Sequence, residues 1–428
     1  MKQVWTIKPA AQVDRPRSSF KKEQSLRAQP DLQDQPGEDI ELACLPASPV
    51  GAQEAHATPQ LFGGAQMAPT AADAQQAASP PAYVHCHSFD VARCAVSVLK
   101  FAPGSADRLA WGADDGAVYL ATAEQPPRLL QVLERHRGKV SDLAWSPDGA
   151  TLLTCSQDGT ACLWEAGCGR LVRGVHNLSG PLGCCAFHPV NPNLLLLGTA
   201  AGELLTLNAS TGHLVAKAEL QAAPMARVGA CSLAPSDRGQ LLAADSRGCL
   251  HLFDASLHGG AAPRMALLAH LPPSRNRFHE PACLEYAAHS GLAGGAAVLL
   301  VLSSGEVVLS RLHQKPYRLE AVQEVRTAPA SAKVRASLRP GYAARQQAVL
   351  ATGGEDCRVH LVGLSQAGEA PRLLAALTHH HAPVLGVAWS WCGSRLASSD
   401  MKGVVVVWRE ETAQPASDDP AADGLAAP

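Results

Sequence analysis

The sequence predicts an all-β protein in which one short sheet unit is repeated seven times. Between Tyr83 and Glu411, short apolar or β-branched runs alternate with turns rich in Gly, Pro, Asp and Ser. No long stretch of this region shows the period of an amphipathic helix, so short strands are favoured. The third observation is an internal repeat, which is the signature of architectures built from stacked identical units.

The two clearest copies of the repeat begin at Lys139 and Pro383. They read KVSDLAWSPDGATLLTCSQDGTACLW and PVLGVAWSWCGSRLASSDMKGVVVVW. Each contains an apolar strand ending in Ala-Trp-Ser, a turn, a second strand, a turn with glycine, and a third strand ending in Trp. Five weaker copies fit the same frame. The second turn of the seven copies is marked by these residues: Gly116, Gly159, Gly202, Gly248, Gly305, Cys357 and Gly403.

The repeat length and number are typical of a closed ring of sheets. The chain resembles the WD-repeat β-propeller family, whose repeats of about 40–45 residues each form a four-stranded sheet. The resemblance implies a seven-bladed propeller over residues 83–411. Closing the ring requires a strand from before the first repeat to join the last sheet, and the segment YVHCHSF (Tyr83 to Phe89) is placed to do so.

The second repeat carries a set of polar residues that the resemblance explains as architecture. In the family's pattern, a His before the first strand, a Ser or Thr, the turn Asp and the final Trp form a buried hydrogen-bond chain, which here implies His136, Ser156, Asp158 and Trp164. A buried Asp and a buried indole both need hydrogen-bond partners. A nucleophilic triad is not predicted, because the hydroxyl would lie inside the sheet.

The last repeat departs from this pattern. Counting back from Trp408 puts Lys402 at the Asp position and Asp400 at the Ser position, with His380 as the expected His. The other repeats lack the terminal Trp. The sequence therefore predicts one intact chain, in the second blade, with apolar packing supporting the rest.

Both ends of the chain differ from the repeat region. Residues 1–82 are rich in Ala, Pro, Gln and Asp, and between Asp31 and Ala82 they contain seven acids and no Lys or Arg. Such a segment buries too little apolar surface to offset its ordering entropy, so disorder is predicted for 1–82 and for 412–428. The first thirty residues are basic and suggest either a solvated tail or a nuclear-import or anion-binding segment.

Several segments carry a closer resemblance. The stretches LGCCAFHPVNPNLLLLG, VLATGGEDCRVHLV and LASSDMKGVVVVWRE resemble segments of the WD repeat-containing protein 13 family, in the same order, over most of residues 83–411. That resemblance implies a nuclear, chromatin-associated or transcriptional co-regulator without enzymatic activity. It does not extend over residues 1–82.

The expected function is a scaffold that binds other proteins. Propellers commonly use the end of the ring where the turns between second and third strands meet the loops that lead into each first strand. By position, this end should present Arg137, Lys139, Gln157, Glu355 and Lys402, and Trp391 is an additional candidate in another turn. Two other classes stay open: a substrate-recruiting adaptor of a ubiquitin ligase or other cytosolic complex, and an enzyme housed in a propeller.

No cofactor, metal site, direct nucleic-acid motif or membrane span is predicted. Net charge is −2, which gives no overall basic field for nucleic acid. His85, Cys86 and His87 could meet His379, His380 and His381 near the closing strand, but neither segment has the paired spacing of structural zinc sites. Adjacent Cys184 and Cys185 are expected to be buried small hydrophobes. Localisation is expected to be nuclear and also cytoplasmic.

Overall fold

The computed structural model describes residues 82–411, except 177, 179, 221–228, 259–263, 273–278, 291–294, 315, 327–332, 341–347 and 365–369. The chain divides into two units, Met1–Gly63 and Gly64–Pro428, and all described residues lie in the second. The disorder predicted for 1–82 and 412–428 therefore falls almost entirely outside the described residues.

The described residues form seven four-stranded antiparallel sheets and no helix, which confirms the all-β, seven-bladed propeller. Blade 1 comprises β2 Val96–Phe101, β3 Arg108–Ala113, β4 Ala117–Thr122 and β5 Arg128–Glu134. Blade 2 comprises β6 Val140–Trp145, β7 Thr151–Ser156, β8 Ala161–Glu165 and β9 Arg170–Val175. Blade 3 comprises β10 Leu182–Phe187, β11 Leu194–Thr199, β12 Glu203–Asn208 and β13 Leu214–Glu219.

The remaining blades contain the longest strands. Blades 4 and 5 comprise β14 Ala230–Pro235, β15 Gln240–Asp245, β16 Leu250–His258 and β17 Arg264–Leu271; and β18 Pro281–Ser290, β19 Gly295–Leu302, β20 Glu306–Gln314 and β21 Tyr317–Arg326. Blades 6 and 7 comprise β22 Ala336–Leu338, β23 Ala348–Thr352, β24 Arg358–Leu364 and β25 Arg372–Thr378; and β26 Val384–Trp389, β27 Arg395–Asp400, β28 Val404–Glu410 and β1 Tyr83–Asp90. These bounds fix the blade limits over 255–340, which the sequence left open.

The ring is closed by the strand that precedes the first repeat. β1 pairs antiparallel with β28, so that Tyr83 lies opposite Glu410 and Phe89 opposite Val405. The last blade thus takes three strands from one end of the repeat region and one from the other. This confirms the predicted closing strand.

The core consists of seven buried apolar clusters, each lying between two neighbouring blades. A sheet that is apolar on both faces cannot be stable alone, and radial stacking covers both faces. The fourth strand of each blade lies at the outer edge of its sheet. In β5, for example, exposed residues alternate with partly buried ones.

The second turn of each repeat needs a left-handed backbone. The six glycines at this position have φ between +79° and +97°, and Cys357 in the sixth blade has φ +63°. At Gly403 a side chain would also clash with the carbonyl oxygen of Ala92 in the loop before blade 1. Glycine is therefore required there by conformation and by close approach.

Candidate functional site

The buried polar chain of blade 2 runs through two threonines. The Trp164 indole Nε1 donates to Thr154 Oγ1 at 3.0 Å, and Thr154 Oγ1 lies 2.8 Å from His136 Nε2. His136 Nδ1 lies 2.7 Å from Thr160 Oγ1, which donates to Asp158 Oδ1 at 2.6 Å. If each proton is used once, a neutral His136 with its proton on Nδ1 satisfies every member. Burial lowers the pKa of His136, which favours that neutral form.

Ser156 does not join the indole to the histidine, as the sequence had suggested. Its Oγ donates to the carbonyl oxygen of Gly138 at 2.9 Å and accepts the Asp158 N–H at 3.1 Å. Ser156 is the last residue of β7 and lies beyond the last residue pair between β7 and β8. Thr154 lies two residues earlier, on the same face of the strand, where β7 and β8 are still paired. The central hydroxyl of the chain therefore belongs to Thr154, and the prediction of Ser156 at this position is wrong.

Blade 7 contains a second chain, and it is more direct. The Trp408 Nε1 donates to Ser398 Oγ at 2.8 Å, Ser398 Oγ lies 2.7 Å from His380 Nε2, and His380 Nδ1 lies 2.9 Å from Asp400 Oδ2. Asp400 is thus the acid of the chain. Lys402 does not take the acid's place; its backbone N–H donates to Asp400 Oδ1 at 2.9 Å. The prediction that only blade 2 holds an intact chain is wrong.

Blade 4 holds a variant that sequence comparison with the repeat pattern missed. Asp245 and His251 are fully buried, and His251 Nε2 lies 3.0 Å from Asp245 Oδ2. The histidine comes from the third strand instead of the loop before the first. His270 on the outer strand reaches His251 with a 3.5 Å Nδ1–Nδ1 distance. No terminal Trp marks this blade, so only the spacing of Asp245 and His251 could have indicated it.

The predicted partner-binding residues divide between the two ends of the ring. We call the end formed by the turns after each second strand the glycine-turn face. Because neighbouring strands are antiparallel, the segments that lead into each first strand lie at this same end. Five candidates lie there: Arg137, Lys139, Gln157, Glu355 and Lys402.

Their exposure differs. Arg137, Gln157 and Lys402 are exposed, whereas Glu355 is half-buried. Lys139 is half-buried and forms an ion pair with Asp114 of blade 1 at 2.9 Å. These residues belong to blades 2, 6 and 7, which with blade 1 form a continuous arc of the ring.

Trp391 lies at the other end. It occupies the turn between β26 and β27 and is 57% exposed. Trp389, two residues earlier, is buried, and its Nε1 donates to the carbonyl oxygen of Ser337 in blade 6. A single partner could contact Trp391 and Lys402 together only by spanning the length of a blade.

The central channel holds ionisable groups that the sequence analysis did not identify. Lys100 Nζ lies 3.1 Å from Asp142 Oδ1, and Arg335 Nη1 lies 3.6 Å from the same oxygen. Glu285 of blade 5 accepts the N–H of Leu338 at 3.1 Å. Burial raises the pKa of Glu285 to about 7, against the lowering effects of its hydrogen bonds and of Lys100.

The thiols on the first strands of blades 3, 4 and 5 are kept protonated. Burial raises the pKa of Cys283 to about 11 and that of Cys231 to about 12. Burial also raises the pKa values of Cys184 and Cys185, which are buried in the apolar clusters on opposite sides of blade 3. These cysteines therefore lack the thiolate character of nucleophiles.

The histidines near the closing strand come close to each other. The His85 and His379 rings stack with their centroids 3.8 Å apart, and both meet the Trp408 ring edge-on. Within the described residues, no three His, Cys, Asp or Glu side chains are grouped as a metal site would need. No helix in the described part of the chain could span a membrane.

Comparison with known proteins identifies two of the blades. Residues 127–165 and 371–409 match the family described as WD domain, G-beta repeat. These segments cover the polar chains of blades 2 and 7. These two segments are therefore each similar to a WD repeat.

Similar proteins share only short segments with this chain. Protein HIRA of Xenopus laevis is 49% identical over 47 residues, which is 11% of this chain and 4% of that protein. The Chromatin assembly factor 1 subunit FAS2 homolog of Oryza sativa is 36% identical over 77 residues, 17% of this chain and 15% of that protein. The Probable cytosolic iron-sulfur protein assembly protein 1 of Kluyveromyces lactis is 39% identical over 56 residues, which is 13% of this chain and 16% of that protein. This chain thus spans less than a fifth of each relative.

Proposed function

We propose that this protein is a non-enzymatic scaffold that binds other proteins on its glycine-turn face and acts with chromatin or transcription regulators in the nucleus. The observation that supports it best is the arc over blades 6, 7, 1 and 2. On this arc Arg137, Gln157 and Lys402 are exposed. Their polar side chains project from turns that the sheets hold rigidly, which limits the entropy lost when a partner binds.

A binding role fits the chemistry of the channel better than catalysis does. The ionisable groups there are largely engaged with each other, since Asp142 contacts both Lys100 and Arg335. The carboxylate of Asp142 also accepts the Cys185 N–H at 3.3 Å. The channel nevertheless contains clustered ionisable groups, which keeps an enzyme housed in the ring among the alternatives. The raised thiol pKa values argue against a cysteine nucleophile.

The nuclear part of the proposal rests on sequence similarity to other proteins. Two of the relatives are named as Protein HIRA and as a chromatin assembly factor subunit, and a third is named Transcriptional corepressor LEUNIG_HOMOLOG, from Arabidopsis thaliana, 26% identical over 100 residues. The resemblance to the WD repeat-containing protein 13 family, which rests on the sequence segments alone, would imply the same role. Both concern repeat segments, so they support a role in such complexes without assigning a partner.

A cytosolic assembly role is the second candidate. It is favoured by the likeness to the cytosolic iron-sulfur protein assembly protein. A substrate-recruiting adaptor of a ubiquitin ligase belongs to the same class. Both uses would also need the rigid ring and its exposed turns.

The test is purification of the tagged full chain and of residues 83–428 from native cells, with mass spectrometry and imaging of both. We expect nuclear chromatin or transcription proteins with both forms. The variant Arg137→Ala/Gln157→Ala/Lys402→Ala should lose them. The control variant Arg170→Ala/Lys217→Ala changes exposed cations on outer strands and should retain them.

Other outcomes separate the alternatives. Enrichment by the full chain alone would place the partner site in residues 1–82. Enrichment of cytosolic adaptors would reject the nuclear role and keep the scaffold. Retention of every partner by the triple variant would reject the glycine-turn face.

A further inference from the structure

Arg335 reaches across the interior of the ring. Its Nη2 donates to the carbonyl oxygen of Ser141 at 3.1 Å, and its Nη1 lies 3.6 Å from Asp142 Oδ1. Arg335 precedes the first strand of blade 6, whereas Ser141 and Asp142 belong to the first strand of blade 2. Blades 6 and 2 are not neighbours, so these contacts cross the central channel.

Lys100 of blade 1 lies beside this contact. Its ammonium group and the Arg335 guanidinium approach the same oxygen of Asp142, so the two cations are close neighbours. The side chain of Lys100 is 39% exposed although it lies on an innermost strand. It is therefore partly accessible, and within the described residues its ammonium group makes one hydrogen bond, to Asp142, which leaves donors for another acceptor.

The local charge favours an anion. Lys100 and Arg335 supply two positive charges, and Asp142 neutralises one of them. Among the described residues that interact with this pair, the other carboxyl group is Glu285, whose pKa burial raises to about 7. The thiol of Cys283 stays neutral because burial raises its pKa to about 11. The channel centre is thus positive below neutral pH and closer to neutral above it.

We propose that the central channel binds a small tetrahedral oxyanion of the phosphate class between Lys100 and Arg335. Guanidinium and ammonium groups are the protein donors that suit such oxygens, the first through paired N–H groups and the second as a point charge. The low effective dielectric of a channel strengthens their attraction. Arg335 lies at the glycine-turn end of the ring, because it directly precedes β22, but its side chain points across the channel to blade 2. The proposed anion site therefore does not depend on the proposed scaffold role.

Sulfate is the best probe, because its charge is constant across the pH range in which Glu285 titrates. We expect saturable sulfate binding by the full chain in isothermal titration, with a matching rise in melting temperature. The affinity should be higher at pH 6 than at pH 8. Inorganic phosphate in parallel tests whether the site accepts the biological oxyanion.

Variants separate this site from surface binding. Lys100→Met should abolish saturable sulfate binding, and Lys217→Met, which removes an exposed cation on the outer strand β13, should leave it unchanged. Glu285→Gln keeps the side-chain shape and removes a negative charge. It should therefore strengthen binding at pH 8 by roughly threefold or more and abolish the difference between pH 6 and pH 8.

Three results would overturn the proposal: no saturable binding by the native chain, equal binding by Lys100→Met, or equal loss with Lys217→Met. If Lys100→Met does not fold, Glu285→Gln decides the matter, since an unchanged affinity at pH 8 would also reject the site.

Discussion

Ser398→Ala should remove the centre of the blade 7 chain at a cost that the structure allows to be estimated. Ser398 Oγ is the partner of both Trp408 Nε1 and His380 Nε2, and all three residues are buried. Alanine leaves two buried polar groups without a partner, at about 1–3 kcal/mol each, so the free energy of unfolding should fall by about 2–6 kcal/mol. For a propeller of this size, that corresponds to a melting temperature lower by roughly 3–9 °C.

The assay is urea unfolding followed by tryptophan fluorescence and circular dichroism. Ser399→Ala is the matched control, because Ser399 is equally buried but, among the described residues, makes a single hydrogen bond, to the carbonyl oxygen of Val96 at 2.8 Å. Its cost should be near 1 kcal/mol. In a Trp408→Phe background, which lacks the indole N–H, Ser398→Ala should cost less. Equal costs for the two serines, or an unchanged cost in that background, would refute the chain's energetic role.

Three further changes test other features. Cys357→Gly should stabilise the fold by about 0.5 kcal/mol in urea unfolding, because a left-handed non-glycine residue is strained and glycine's unfolded-state entropy offsets only part of that gain; destabilisation would contradict the strain. Gly403→Ala should cost more than 2 kcal/mol in the same assay, since its Cβ would meet the Ala92 carbonyl; a neutral result would contradict that approach. Burial and the neighbouring His379 and His87 lower the pKa of His85, so its contribution to stability should be complete above pH 6.5 and should be lost as the pH falls below that value. His379→Gln should therefore make the fall of the melting temperature at low pH shallower; an unchanged pH dependence would contradict a role of the His85–His379 stack.

The fold was accessible from sequence because its determinants are local. The turn positions from Gly116 to Gly403 follow from a single backbone requirement, and Cys357 fits the same frame with its own positive φ. The closing strand followed from topology, since a ring leaves one place for a strand before the first repeat. What the repeat pattern could not resolve was which hydroxyl lies beside the indole, because Thr154 and Ser156 share one face of β7 and differ only by one step along it.

The channel cluster was not predictable for a different reason. Lys100, Asp142 and Arg335 are far apart in sequence and belong to blades 1, 2 and 6. No spacing rule within one repeat relates them, because their contact depends on the diameter of the closed ring. Residues at the centre of a propeller can be placed only after the number of blades and the register of each first strand are known.

Only two of the seven blades match the WD-repeat family, and their polar chains explain why. Residues 127–165 and 371–409 are the segments that carry a histidine, a hydroxyl, an acid and a Trp in one chain. The other five blades keep the glycine or cysteine turn and the apolar strands, and the seven inter-blade clusters are present all round the ring. The fold therefore needs the turn and the apolar pattern in every blade, whereas the polar chain is needed only where burying a Trp indole and an acid requires partners. Blade 4 supports this view, because its buried Asp245 is satisfied by His251 from another strand without any Trp. Sequence similarity thus follows the polar chain, while the architecture follows the turns and the packing.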